Sequence, residues 1–229
     1  MPELDQGSPE RGAVARLVKD PASRRKFMAV GGGTGLAALL AACGGGGNST
    51  TMVTNESKPT NAGMKSETEQ FGEGDIGILN YALTLEYLET AFYEEVVKSG
   101  LFKGEELAVL KKFGSEEAQH VAALNSTVKK LGGKPAAKPK AEFPLENAKA
   151  VAELAGAVEN LGAAAYLGQA GNIRSPEVLA AALSIHSVEA RHAATLNTLL
   201  GMSITPTGAF AEGADVKTVL KSVEPFIVG

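Results

Sequence analysis

The 229-residue sequence predicts an all-α fold: a four-helix bundle with a long crossover between its second and third helices, preceded by a disordered leader and tether. Three observations carry this. Four stretches of about 25 residues show apolar residues alternating by three and four, the period of a helix with one buried face. Two of them carry the same Glu-x-x-His, as Glu117-Ala118-Gln119-His120 and Glu189-Ala190-Arg191-His192, and the halves of the chain around these pairs are alike. The joints between the stretches also differ in kind, two being short and the middle one long and rich in Pro and Lys.

Residues 1–22 are polar, with Gly, Pro and mixed charge, a composition that predicts disorder. A basic start follows, Ser23-Arg24-Arg25-Lys26-Phe27-Met28, then a weakly apolar run from Ala29 to Ala42 broken by Gly31 to Gly33 and Gly35, then Leu40-Ala41-Ala42-Cys43. These are the parts of a secretory signal. Fourteen residues rise only about 21 Å as a helix, short of the roughly 30 Å hydrocarbon core, so a permanent span is not expected. The paired arginines before Phe27 resemble a twin-arginine (Tat) signal, and Leu40 to Cys43 resembles a bacterial lipobox. The two resemblances imply passage through the Tat translocase, lipid on the Cys43 sulfur, and a mature chain held on the outer side of a bacterial membrane. Residues 44–74 are Gly, Ser, Thr, Asn and Lys with almost nothing apolar, the composition of a flexible tether.

The folded domain is expected from Asp75, read as a helix N-cap, to residue 229. Its first helix carries Leu79, Ala82, Tyr93 and Val96 in register with Glu86 and Glu89, and Gly100 ends it. The second runs from about Gly104 to Leu131, closed by Gly132-Gly133. Lys134, Lys138 and Lys140 interleaved with Pro135, Pro139 and Pro144 cannot be helical. The third, about Leu145 to Ala170, is rich in Ala and Gly, and Pro176 opens the fourth, which reaches about Leu200. A short amphipathic piece, Val216 to Val223, is read as a tail packed on the bundle. Short joints make antiparallel hairpins of helices 1–2 and 3–4. The 13-residue middle linker spans at most about 43 Å and the helices are about 38 Å long. It can therefore just traverse the bundle, as adopted here, and a return to the same end is also within its reach.

The repeat singles out six residues. At an offset of 72, Glu117/Glu189, His120/His192, Ala122/Ala194, Leu124/Leu196 and Asn125/Asn197 are identical pairs; at 73, so are Glu86/Glu159, Leu88/Leu161 and Tyr93/Tyr166. Such self-similarity suggests a duplicated helical hairpin. Residues three apart share a helix face, so each Glu-x-x-His aims a carboxylate and an imidazole at one point. Glu86, Glu117, Glu159 and Glu189 all fall near mid-height of their helices, where inward carboxylates on axes about 8–10 Å apart come within bridging distance of a metal pair. Glu89, Glu153 and Glu116 have no counterpart in the other half, where Gly162, Asn80 and Val188 stand. Glu89 nevertheless faces inward and could ligate or orient Glu86.

On these residues the sequence resembles the ferritin-like di-iron carboxylate superfamily. Asp75-Ile76-Gly77-Ile78-Leu79-Asn80-Tyr81-Ala82-Leu83 leading into Leu85-Glu86-Tyr87-Leu88-Glu89 is similar to the exported ferritin-like domain proteins, some called desiccation-related. The resemblance covers about Gly74 to Leu200. It implies two Fe ions, with Glu117 and Glu189 bridging, Glu86 and Glu159 terminal, and His120 and His192 on one ion each. Carboxylate oxygen with one imidazole per ion suits iron or manganese better than copper(I) or a thiolate zinc site. Tyr93 and Tyr166 are candidate donors to the ligands. His186 reads as a satisfied core histidine.

The functions this admits are oxidation of Fe(II), or reduction of O2 or peroxide, outside the cytoplasm. A non-catalytic metal-binding or stress-protective envelope protein is the alternative, and manganese-catalase-like dismutation a lesser one. Storage in a closed cage fits poorly with a lipid tether. Cys43 is the only cysteine, which excludes an internal disulfide and a four-cysteine rubredoxin or iron–sulfur site. Formal charge is -4, and beyond residue 42 acidic residues outnumber basic ones 22 to 16, so no basic surface for nucleic acid is expected. Metal ions, O2 or peroxide and the membrane are the expected partners, with a homodimer left open.

Overall fold

Residues 67–228 are described in the computed structural model, so the leader, Cys43 and most of the tether lie outside the described residues. Four long helices follow the apolar periodicity: α1 (Gly74–Ser99), α2 (Gly104–Lys130), α3 (Ala148–Ala170) and α4 (Pro176–Leu199). A fifth, α5 (Val216–Val223), lies near the C-terminus, and short 3-10 turns occupy Glu69–Phe71 and Glu224–Phe226. Local chemistry sets the boundaries. Asn147 accepts from the Ala150 N–H at 3.0 Å, so α3 starts there, three residues later than the periodicity predicts. Ser175 caps α4 through the Val178 N–H, with Pro176 at its first position. Asp215 caps α5 through the Thr218 N–H at 2.7 Å.

Asp75 does not cap α1, whose N-cap is Glu73 with no side-chain bond. Its carboxylate instead accepts the backbone N–H groups of Arg174 and Ser175, each at 2.8 Å, tying the start of α1 to the α3–α4 joint. Order also begins before α1, inside the stretch whose composition reads as tether. Phe71 packs against Tyr81, and the Glu67 carboxylate accepts the Val216 N–H.

Contacts between the hairpins establish the crossover. Tyr93 of α1 meets Glu159 of α3, and Tyr166 of α3 meets Glu86 of α1, so α1 and α3 run antiparallel. His192 of α4 lies against Glu117 of α2, and His120 against Glu189, so these two are antiparallel as well. Helices α2 and α3 therefore run the same way, and the linker between them must traverse the bundle. It leaves beside Asn80, whose amide donates to the Lys134 carbonyl and whose oxygen accepts from the Ala136 N–H at 2.8 Å. It arrives beside Phe92, which stacks edge-on with Phe143.

Two apolar clusters fill the bundle at different heights. Leu79, Leu83, Leu124, Val128, Val178 and Ile185 pack towards one end. Phe92, Val96, Phe113, Val151 and Leu196 pack towards the other. Glu86, Glu117, Glu159 and Glu189 occupy the layer between them. Helix α5 covers a third cluster through Val216, Val219 and Val223, on Tyr81, Leu85, Leu88 and Ala165, as a tail packed on the bundle should. None of the described helices is long and apolar enough to cross a membrane.

Candidate metal centre

Mid-helix positions on inward faces bring all six residues singled out by the repeat into one layer. The Glu86, Glu117, Glu159 and Glu189 side chains are fully buried, and His192 is 3% exposed. Burying a carboxylate is costly without a partner, so four at one height need a common one. Backbone shape contributes: a Cβ on Gly162 would lie 2.7 Å from Glu89 Oε1 and 3.3 Å from Glu189 Oε2, so this glycine makes room for both side chains against α3.

Two overlapping groups result. Glu86, Glu117, His120 and Glu189 each bring a ligand atom within 4.8 Å of the others, and so do Glu117, Glu159, Glu189 and His192. Glu117 and Glu189 belong to both. Around His120 Nδ1 lie Glu117 Oε2 at 2.8 Å, Glu189 Oε1 at 3.1 Å and Glu86 Oε2 at 3.3 Å. Around His192 Nδ1 lie Glu117 Oε1 at 2.9 Å and Glu159 Oε2 at 3.2 Å.

These residues fit a pair of divalent cations better than they fit one another. A ring nitrogen carries one proton, so His120 can serve one of the three oxygens that face it. Glu86 Oε2, Glu117 Oε1 and both oxygens of Glu189 are buried without a hydrogen bond. Four carboxylates with two neutral imidazoles carry four negative charges, which two divalent cations neutralise. Without that charge the protons redistribute. Burial pushes Glu86 up to about 8 against the His120 contact, with Glu189 and Glu117 adding repulsion. Burial likewise raises Glu89 and Glu159 well above the carboxylate range. Burial also opposes ionisation of Glu117, but the close approach of the His120 and His192 rings prevails and holds it at about 2. The rings move the other way: burial disfavours their charge, yet the carboxylates raise His120 to about 12 and His192 to about 10. Protons thus occupy the cluster where cations could sit.

Around the six, the tyrosines hold the outer oxygens crosswise. The Tyr166 hydroxyl donates to Glu86 Oε1 at 2.6 Å and the Tyr93 hydroxyl to Glu159 Oε1, each reaching the opposite half's carboxylate. Glu89 is buried beside this layer but supplies no atom to either group. Glu153 is exposed and pairs with Lys149, as its missing counterpart suggested. His186 belongs to neither group; it is half-buried between α3 and α4, with Nδ1 3.0 Å from the Ala163 carbonyl.

Sequence reasoning missed two contacts. Glu116, set aside for want of a counterpart, places Oε2 3.0 Å from His192 Nε2, and Lys112 holds its other oxygen at 2.6 Å. Phe113 stacks on the His192 ring at 4.0 Å between centroids. The only trace of Glu116 in the sequence is its i,i+4 spacing from Lys112, which equally marks a solvated surface pair.

Such a layer, dry on two sides and rich in hard oxygen, can chemically hold a dinuclear metal site. No curated protein matches the chain. Residues 74–202 match the family model of the ferritin-like domain, which spans all four bundle helices, and the chain belongs to that family.

Proposed function

We propose that this chain holds two Fe ions, with Mn the other cation its donors suit, and that it oxidises Fe(II) or reduces O2 or peroxide outside the cytoplasm. The observation that carries this reading is the pair of carboxylates, Glu117 and Glu189, common to both ligand groups. A residue shared between two four-donor sets supports two ions a few ångströms apart. Bound there, the pair would supply redox electrons at neighbouring ions. The chain's own residues would do the rest. Glu86 and His120 would complete one ion's donors, and Glu159 and His192 the other's. Tyr166 and Tyr93 would orient the terminal carboxylates through their outer oxygens, while the apolar clusters above and below keep bulk water out.

The test is metal analysis of the native full chain, with an electronic spectrum before and after peroxide. Two ions per chain and rapid Fe(II)-dependent consumption of O2 or peroxide, lost in Glu117→Ala, would support the reading. A loaded protein that turns over neither oxidant would leave a metal-binding protein without this activity. For export, the support is Arg24-Arg25-Lys26-Phe27 and Leu40-Ala41-Ala42-Cys43, which together propose Tat passage and a lipid anchor at Cys43. A membrane-bound fraction that becomes soluble in Cys43→Ala would support the anchor, and an unchanged distribution would remove it.

A further inference from the structure

A cleft of about 530 Å³ lies on the outer face of the second hairpin, between α3, α4 and the segment 202–212 that arches over them. Both ends of the arch are pinned. The Met202 N–H donates to the Asn197 carbonyl at 2.8 Å, and the Ala214 N–H donates to the Ala164 carbonyl at 2.9 Å. Gly168 and Gly213 permit the second approach, since a Cβ on Gly213 would lie 2.8 Å from the Gly168 Cα. Between its ends the arch stands clear, with Ile204 61% and Phe210 85% exposed.

The floor is an unbroken strip of α4: His186, Ala190, Ala193 and Asn197, spaced by four, three and four. Its two ends are polar and its middle is two methyl groups. At one end His186 Nδ1 faces a backbone carbonyl, which only accepts, so in the neutral ring the proton is on Nδ1 and Nε2 keeps a lone pair. No described group donates to it. At the other end Asn197 is 1% exposed; its oxygen accepts from Asn160 at 3.2 Å, and its own amide N–H groups have no described acceptor. The first hairpin shows what is missing. There the equivalent Asn125 donates its amide to the Tyr87 hydroxyl and the Val121 carbonyl, each at 3.0 Å. In the second, Tyr87 is replaced at the equivalent position by the shorter Asn160, and the amide of Asn197, which lines the cleft, lacks that acceptor.

We propose that this cleft binds an elongated neutral amphiphile: an apolar chain lying along Ala190 and Ala193, with a hydroxyl-like group at each end, one donating to His186 Nε2 and one accepting from the Asn197 amide. Eleven residues at about 1.5 Å each separate the polar ends by roughly 16 Å. A twelve-atom extended chain at about 1.2 Å per atom covers about 13 Å of that. A volume of this size is within the range of small-molecule sites. The one charged side chain lining the cleft is Glu212, which disfavours an anionic head. The site is independent of the metal reading, since it lies on the flank where α3 and α4 meet beneath the arch and none of its residues belongs to either ligand group.

The probe is 1,10-decanediol, titrated calorimetrically into the full chain, with 1,4-butanediol and decanoate for comparison. Saturable one-to-one binding of the long diol is expected, with the short diol and the anion weaker by ten-fold or more. Ala190→Phe, at an exposed position outside the core, should abolish binding while leaving the melting temperature in place. His186→Phe should weaken it roughly three- to ten-fold, one hydrogen bond's worth. Absence of decanediol binding, or binding equal in Ala190→Phe, overturns the proposal. So does a wild-type dimer that Ala190→Phe dissociates while the diol never binds, because the cleft would then be a face between copies.

Discussion

Hairpin α1–α2 and hairpin α3–α4 present Glu86, Glu117 and His120 against Glu159, Glu189 and His192, yet the two imidazoles sit in unlike surroundings. The His192 side chain is 3% exposed, stacked on Phe113 and held at its far nitrogen by Glu116. His120 is 12% exposed and has neither neighbour. Carboxylates are unevenly shared too, since Glu89 lies on α1 where α3 has Gly162. For the proposed ion pair, a duplicated ligand set within an unduplicated frame would give one clamped position and one looser position. Symmetry is kept in the six candidate ligands, and is broken in the side chains that surround them.

The largest expected effect tests the sharing itself. Glu117→Gln or Glu189→Gln removes a carboxylate from both ligand groups and should lower bound metal from two ions per chain to near none. Glu86→Gln or Glu159→Gln removes one from a single group and should leave about one. Metal content after exhaustive dialysis separates the classes, and equal losses in all four variants would mean that the ions are not divided as the two groups suggest.

Next is the pH dependence of the metal-free chain. Glu86, raised to about 8, stabilises most while it remains protonated; that contribution is whole below its unfolded value near 4.5 and is lost as pH climbs through 8. The raised imidazoles act in the same direction, from about 6.5 up towards 10 for His192 and 12 for His120. Glu117, held at about 2, contributes above 4.5 and loses its contribution as pH falls towards 2. Metal-free protein should therefore be most stable near pH 4 to 5 and melt lower by on the order of 10 °C at pH 9. Added Fe(II) or Mn(II) should reverse that slope and release protons, because the ligands bind deprotonated. A metal-free melting point that is flat from pH 5 to 9 would show that the cluster is not as tightly protonated as its burial requires.

How much of this was legible in the sequence follows from what helical periodicity encodes. Spacing tells which face of a helix points inward, and duplication tells which inward polar residues belong together, so the six ligand candidates could be read without coordinates. Periodicity does not say which helix lies opposite. Glu116 looked like half of a surface pair with Lys112, because its approach to His192 exists only once α2 and α4 pack antiparallel at one register. Asp75 looked like a cap for its own helix, yet the N–H groups that donate to its carboxylate lie 99 and 100 residues away. The cleft beside His186 was hidden for a similar reason, since its roof comes from a segment with no periodic pattern. The crossover fell between these cases: linker length allowed a traverse, and the tyrosine–carboxylate contacts decided it.

Deleting the imidazoles one at a time should expose the difference between the clamped and the looser position. Replacing buried His192 by Ala empties a space against Phe113 and strands Glu159, at a cost of about 2–4 kcal/mol in the metal-free fold. His120→Ala, nearer the surface, should cost about 1 kcal/mol. Chemical denaturation of the two metal-free variants compares them directly, and equal costs would mean that Phe113 and Glu116 contribute nothing beyond what His120 has without them.

The smallest effect is the most specific. Glu116 touches no proposed ion; it accepts from His192 Nε2 and so fixes the ring with Nδ1 turned towards the shared carboxylates. Glu116→Gln keeps the size and can still accept a hydrogen bond, but loses the charge that strengthens the ring's donor and raises its basicity. Outer partners of this kind typically change metal affinity by about 10- to 100-fold, and Gln retains part of the contact, so about ten-fold is expected. Because Glu116 touches only His192 among the six, and His192 belongs to one group, the loss should fall on one ion of the two, bringing the tighter step of the metal titration towards the weaker one. Val188 marks the corresponding place in the other hairpin, and Val188→Ala should leave both ions unchanged. A Glu116→Gln titration that weakens both steps equally would show that the residue acts on the bundle as a whole and not through His192.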